Sequence, residues 1–410
     1  MCYNRFMKKK IVIIGGGASG LICAITAAKK EHEIIVLEKN AKAGRKLLAT
    51  GNGRCNISNL SISLQNYHGH HVGFVEYALK QFHYDVLKRF FESLGLDFTS
   101  VEDGRVFPMS LQASSVVDFL VDACLRKGVR LETGCEVQSV FPEGKKFKVL
   151  HEKGDILCDN VVIATGSLAA PALGSSDAGM RFAKEMGHRI FPAFPVLVQL
   201  RSDLPFCKRC SGVKISASLQ AMVEKVPSAS VRGDLLFTNY GISGLAVLDI
   251  SRTVSAALHE RKDVVIEVDL LPDISLPSLK KMLQNKSKRF CDKAPLLWLN
   301  GFLHKKIASA LLRMLGLSDQ QVLGTKALQK LAYTIKHLEI SIVDTNGAKG
   351  AEVMAGGVDC SEVDYKTMES KKVKGLFFTG EVLDIDADRG GYNLHWAWAS
   401  GYLAGRKLSG

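Results

Sequence analysis

A chain of 410 residues, 47% hydrophobic and 23% charged, has enough apolar sequence for a large globular core in two or three domains, and this composition excludes a disordered, fibrous or repeat protein. Its 54 basic and 41 acidic residues leave a net charge of +13, which suits an anionic cofactor or substrate. Basic clusters such as 8–10 and 371–374 lack interleaved aromatics, so this reading does not favour nucleic acid as a partner.

The first elements carry the strongest signal. Residues 11–14 are an apolar strand, 15–20 a glycine-rich turn, 21–30 an alanine-rich helix, and 34–37 a second strand ending on Glu38. That is the order and length of a dinucleotide-binding βαβ unit. Gly15 permits the tight turn, Gly17 lets the backbone approach a pyrophosphate, and Gly20 lets helix pack on strand. The helix N-terminus, with Ala18 and Ser19, offers amides and a positive dipole end to phosphates. Glu38 stands where a carboxylate accepts ribose hydroxyls. Residues 11–28 lack charge and approach the length of a membrane span. Four glycines in that stretch and the strand that follows argue against a span, and the protein reads as soluble and cytoplasmic. Met1 and Met7 serve equally as a start, because KKKIVII opens the fold from either.

Residues 40–60 read as a loop or short helix rich in Gly, Asn, Lys and Arg. Residues 74–128 are mostly helical, with a hairpin-like break at 101–107. Short strands follow at 129–132, 136–141, 147–151 and 161–164, the last running into Thr165 and Gly166. Residues 195–270 alternate like strands, 276–336 have helical spacing, and 337–360 turn strand-like again. A final strand, 375–379, leads to Gly380 and Glu381, a glycine-containing loop and a terminal helix over 394–407. The expected layout is a cofactor domain in two parts, 1–194 and 361–410. A β-rich insertion (195–272 and 337–360) and a helical insertion (273–336) lie between them. A chain that opens on GxGxxG and returns at its far end with strand, glycine, acid and helix suits FAD better than a nicotinamide cofactor. FAD needs this second contact point, and amides at the last helix N-terminus favour negative charge on reduced flavin.

The ten cysteines are scattered and read as reduced thiols. Cys207 and Cys210 form the only CxxC; with no second pair there is no zinc site, and no metal is expected. A redox dithiol there would make the protein a flavin disulfide reductase.

Several stretches together resemble one family. They are GGGASGL (15–21), GRKLLATGNGRCNISN (44–59), GRVFP (104–108), VVIATGS (161–167), GSSDAGMRFAKEMGH (174–188), TNYGISG (238–244), TMESK (367–371) and GLFFTGEVLDIDADRGGYNLHWAWASG (375–401). The chain is similar to the bacterial FAD flavoproteins that include a 3-dehydro-bile-acid Δ4,6-reductase and aminoacetone oxidase. The resemblance implies an α/β architecture: a two-part Rossmann-type FAD-binding domain with a β-barrel-like insertion and a small helical insertion. It puts the pyrophosphate on Gly15, Gly17, Ala18, Ser19 and Gly20, and the adenosine ribose on Glu38 and Lys39. Arg45, Lys46, Gly51, Gly53, Arg54, Cys55 and Asn56 would line the ribityl and flavin side. Val137 would give backbone contacts near the adenine, and Thr165 and Gly166 would lie beside the cofactor. Gly380, Glu381, Asn393 and Leu394 would close over the ribityl chain and isoalloxazine. One departure is Leu245, where members often have proline after the SG of TNYGISG.

The activity implied is an NAD(P)H-linked reductase. It carries hydride from flavin N5 to a C=C conjugated to a ketone, with 3-oxo-Δ4 or Δ6 bile acid intermediates as candidate substrates. No second GxGxxG unit is visible for a nicotinamide cofactor. That keeps open an amine oxidase using O2, and an RNA-associated flavoprotein is a further alternative. Tyr240, as a proton donor, and His395, beside the glycine loop, are the two catalytic candidates.

Overall fold

The computed structural model describes residues 8–317 and 322–410. The possible starts Met1 and Met7 lie outside these. The chain divides into one unit of residues up to 193 and from 353 onward, and a second unit of 194–352.

The first unit is built on five parallel strands: β1 (Lys9–Ile14), β2 (His32–Glu38), β3 (Arg130–Thr133), β4 (Asn160–Ile163) and β5 (Leu376–Phe378), in the order β5-β4-β1-β2-β3. Every pairing is parallel. Ile11, Val12 and Ile13 have no exposed surface, as expected of a central strand covered on both faces. The strand order reverses between β1 and β4. The carboxyl ends of the strands there, Ile14 and Ile163, open the crevice where such sheets bind ligands.

Helix α1 (Ala18–Ala27) follows β1, and α2 (Tyr392–Ser409) closes the chain. The two pack with backbones almost in contact. A Cβ on Gly401 would stand 2.3 Å from the Ser19 carbonyl oxygen, and one on Gly405 would stand 2.6 Å from Thr26 Cβ. Trp396 and Trp398, also on α2, are buried against Phe74 and Phe91 and donate to the carbonyls of Gly380 (3.3 Å) and Ile57 (3.1 Å).

The second unit holds a seven-stranded antiparallel sheet whose longest pair is Lys214–Val223 with Val226–Thr238. Its helices Leu276–Arg289, Lys305–Met314 and Thr325–Lys336 bury Leu279, Leu283, Ile307, Leu311 and Leu331 in a core separate from that of the first unit.

Two differences from the sequence reading stand out. Residues 353–360, expected with the β-rich insertion, belong to the first unit. The strand Val353–Val358 is buried at all six positions, and Val358 and Cys360 join the first unit's core. A strand at Gly154–Cys158 pairs with Lys146–His151 and was not expected, because its short polar start masks the alternation. No helix among the described residues is long and apolar enough to cross a membrane.

Candidate functional site

The site is built at the carboxyl edge of the five-stranded sheet. After Ile14 the chain turns at Gly15 (φ +111°), whose amide donates to the Leu37 carbonyl at 2.8 Å. A Cβ on Gly15 would come within 2.4 Å of the Ala164 carbonyl oxygen, and one on Gly20 within 2.0 Å of the Gly15 carbonyl oxygen. Both glycines are therefore needed to close the turn. Gly17 differs, since nothing lies within 4 Å of where its Cβ would stand. It is also the N-cap of α1 and supplies no capping side chain, so the first-turn amides at Ala18, Ser19 and Gly20 face that open space. An open cradle at a helix N-terminus is what a pyrophosphate fits.

Glu38 is 7% exposed. Its Oε2 accepts from the Gly16 amide (2.9 Å), and its Oε1 accepts from the Asn40 amide (2.8 Å) and Asn40 Nδ2 (2.7 Å). Three of about four acceptor positions are used, leaving one for a ribose hydroxyl. Lys39 follows, half-buried. The Cys135 amide donates to the Glu38 carbonyl and the Gly134 amide to that of Asn40, which brings the buried Val137 and its main chain alongside.

The segment after β2 folds back onto this turn: the Gly44 amide donates to the Gly16 carbonyl at 2.8 Å. Arg45 donates to Asn40 Oδ1 at 3.2 Å. Lys46 Nζ meets Glu381 Oε2 at 2.7 Å, and Ser167 Oγ donates to the same oxygen at 3.1 Å. This clasp joins the 44–56 segment to the segment after β5. Gly51, Asn52, Gly53 and Cys55 all have positive φ, so the loop is a chain of left-handed turns. Arg54 lies 5.0 Å from the Phe107 ring centre. Cys55 is fully buried and its thiol is pushed up to about 12 by that burial. It is therefore an inert thiol, and its part in a ligand site is main-chain only.

Gly391 (φ +101°) caps α2 without a side chain, and a Cβ there would stand 2.4 Å from the Ser58 carbonyl oxygen and 2.8 Å from Asn56 Oδ1. Asn393 spends its side chain on its own loop: Oδ1 accepts from the Ala387 amide (2.9 Å) and Nδ2 donates to the Ala387 carbonyl (2.8 Å). Asn393 and half-buried Leu394 thus offer first-turn amides. Three buried polar atoms around this edge have no hydrogen-bond partner: Asn56 Oδ1, Thr165 Oγ1 and Thr379 Oγ1. Unsatisfied atoms beside an open glycine cradle fit a polar ligand that supplies the missing partners. Gly166 and Gly380 complete the edge, both with positive φ.

Of the two catalytic candidates, His395 does not keep that role. His395 is fully buried; its Nδ1 meets Ser58 Oγ at 2.9 Å, and burial depresses its imidazole to about 3. With no surface, it cannot meet a substrate, and it is a core residue. Its contribution to stability is full above about pH 6.5 and is lost as pH falls toward 3, because only the unfolded imidazole takes up a proton in that range. Wild type should therefore lose about 2 kcal/mol more than His395→Leu between pH 7 and pH 5 in urea unfolding. Equal losses would contradict the buried neutral imidazole. Tyr240 lies in the second unit, in the turn between Val226–Thr238 and Gly241–Ser243, with its carbonyl accepting from the Ser202 amide. Cys207 and Cys210 are buried in the second unit's core, and burial pushes both thiols up to about 12. Buried, protonated thiols are poor nucleophiles, which argues against the disulfide-reductase reading.

A family model described as the HI0933-like protein Rossmann domain matches residues 9–407. The chain belongs to this family. It is 38% identical over 398 residues to the 3-dehydro-bile acid delta(4,6)-reductase of Clostridium scindens, covering 95% of this chain and 96% of the relative. It is also 32% identical over 401 residues to the ribosomal RNA dihydrouridine synthase of Haemophilus influenzae, with 95% and 96% covered. Among solved structures, the 3-ketosteroid delta1-dehydrogenase of Sterolibacterium denitrificans matches with a TM-score of 0.52 and 12% identity, over 98% of this chain and 100% of that one, which shows shared fold. In this HI0933-like protein, Asn40, Ser58 and Ser167 support the edge and were not singled out from sequence. Asn40 carried one signal: it stands two residues beyond the strand-ending acid, where a short side chain bonds back.

Proposed function

We propose that this protein binds FAD along the carboxyl edge of the five-stranded sheet and reduces a C=C conjugated to a carbonyl, with NADH or NADPH as electron source. The observation that carries this reading is the 38% identity over 95% of the chain to a reductase of 3-dehydro bile acids. Bound FAD supplies the two-electron reductant. Gly17 and the α1 amides would receive the pyrophosphate, Glu38 the adenosine ribose, and the Val137 main chain the adenine. The Lys46–Glu381 clasp and the 51–56 turns would border the ribityl side, and the first-turn amides of α2 would favour negative charge on a reduced ring. Where solvent reaches the bound substrate, protonation of the α-carbon needs no side-chain acid.

A second substrate class is favoured by a separate observation. The net charge of +13 accompanies 32% identity to an enzyme that makes dihydrouridine in ribosomal RNA. The uracil C5=C6 bond is itself conjugated to a carbonyl, so the same electron chemistry serves a bile acid enone or an RNA base. The test is an anaerobic titration of the FAD-loaded protein with NADH and then NADPH. Bleaching of the visible flavin band is expected; a band that stays oxidised under both sinks the nicotinamide-linked reading.

A further inference from the structure

The helical part of the second unit carries charge of one sign. Residues 276–313 contain nine lysines and arginines against the single Asp292. The helix Leu276–Arg289 begins at Ser275, whose hydroxyl caps the Ser278 amide, and it turns Leu279 and Leu283 into the core. Its outward face presents Lys281, Asn285, Lys288 and Arg289, all exposed. Among the described residues, Lys280, Lys281, Lys286, Lys288 and Arg289 have no carboxylate within 4.0 Å. Several helices of the first unit instead pair such charges one turn apart: Lys80 with Glu76, Lys88 with Glu92, Arg126 with Asp122 and Arg181 with Glu185. Unrelieved like charge on one helix face destabilises the helix. A polyanionic partner would offset that cost.

The face also has shape. A shallow concavity of about 530 Å³ is lined by Lys281, Asn285, Lys286, Arg289 and Phe290. The half-buried Phe290 ring has Arg289 Cζ at 5.5 Å and Lys293 Nζ at 5.4 Å from its centre. Cations ringing an aromatic face, with an amide beside it, match the backbone and base of a nucleic acid strand. A membrane-surface helix would turn its apolar stripe outward, and here that stripe is buried.

We propose that this face is an RNA-docking surface, with Lys281, Lys286, Lys288 and Arg289 on phosphates and Asn285 and Phe290 at a base. The inference rests on the RNA substrate class named above. Its test is fluorescence anisotropy of the FAD-loaded protein with a labelled, unmodified ribosomal RNA transcript across a salt series, with phosphatidylglycerol vesicles as the second arm. Lys281→Glu/Lys288→Glu/Arg289→Glu should weaken RNA binding at least tenfold and lower the log–log salt slope by about two to three, with flavin content and melting temperature held. The milder Lys281→Gln/Lys288→Gln should lower the slope by about two. RNA binding equal to wild type in these variants overturns the proposal, as does wild-type protein that binds the vesicles and no RNA. Failure of the reductase reading looks different: RNA binding and its sensitivity to these variants persist, while the flavin band stays oxidised under NADH and NADPH.

Discussion

Gly20→Ala is expected to yield protein that purifies without flavin. The added Cβ would stand 2.0 Å from the Gly15 carbonyl oxygen; that oxygen is main chain and the Cβ is fixed by the backbone, so no side chain can rotate away. Relief requires α1 to move off the turn, but α1 is held by the glycine seam against α2. We expect a loss of about 3 kcal/mol in stability, at the upper end for overpacking, and at least a hundredfold loss in FAD affinity. Denaturant unfolding and the flavin-to-protein absorbance ratio check both. A Gly20→Ala protein carrying a full complement of FAD would remove the turn from the site.

Glu38→Ala separates the adenosine end of the cofactor from the rest. The substitution leaves the Gly16 amide, the Asn40 amide and Asn40 Nδ2 without their acceptor. Hydrogen bonds to a charged group contribute about 1.5–3 kcal/mol each when one partner is buried. We therefore expect FAD to bind at least tenfold more weakly, while FMN, which lacks the adenosine, is bound as by wild type. Glu38→Gln, which keeps one acceptor oxygen, should fall between. Equal weakening of FAD and FMN would mean that Glu38 acts only by holding the turn.

The parts of this molecule that were legible in sequence are those whose physics is local. The turn at 15–20 is readable because glycine spacing, flanking strand and following helix lie within thirty residues, and the geometry of Gly15, Gly17 and Gly20 is of the kind those positions require. The return of the chain through Gly380 and α2 was readable because strand, glycine and helix again follow one another directly. What sequence did not reveal depends on long-range packing. His395 was a catalytic candidate by its place after a glycine loop, and only its burial against Ser58 and Phe82 shows it as core. Residues 353–360 joined the first unit because both faces of their strand are covered, which alternation cannot show. The basic face was hidden by counting charge over the whole chain. The segment 276–313 holds nine basic residues against one acid, and only the fold shows that, among the described residues, the charges on Leu276–Arg289 lie without a carboxylate while Lys80 and Arg126 pair with one.

The most direct test of the central claim is a single-turnover measurement. FAD-loaded protein, reduced with dithionite under anaerobic conditions, is mixed with a 3-oxo-Δ4 bile acid or with unmodified ribosomal RNA, and the flavin band is followed as product is identified by mass. Return of the oxidised band together with a product two mass units heavier, from at least one of the two substrates, is the predicted result. A reduced flavin that both substrates leave unchanged, but that oxygen reoxidises with turnover of an amine, would contradict reduction of a conjugated C=C and make the protein an oxidase.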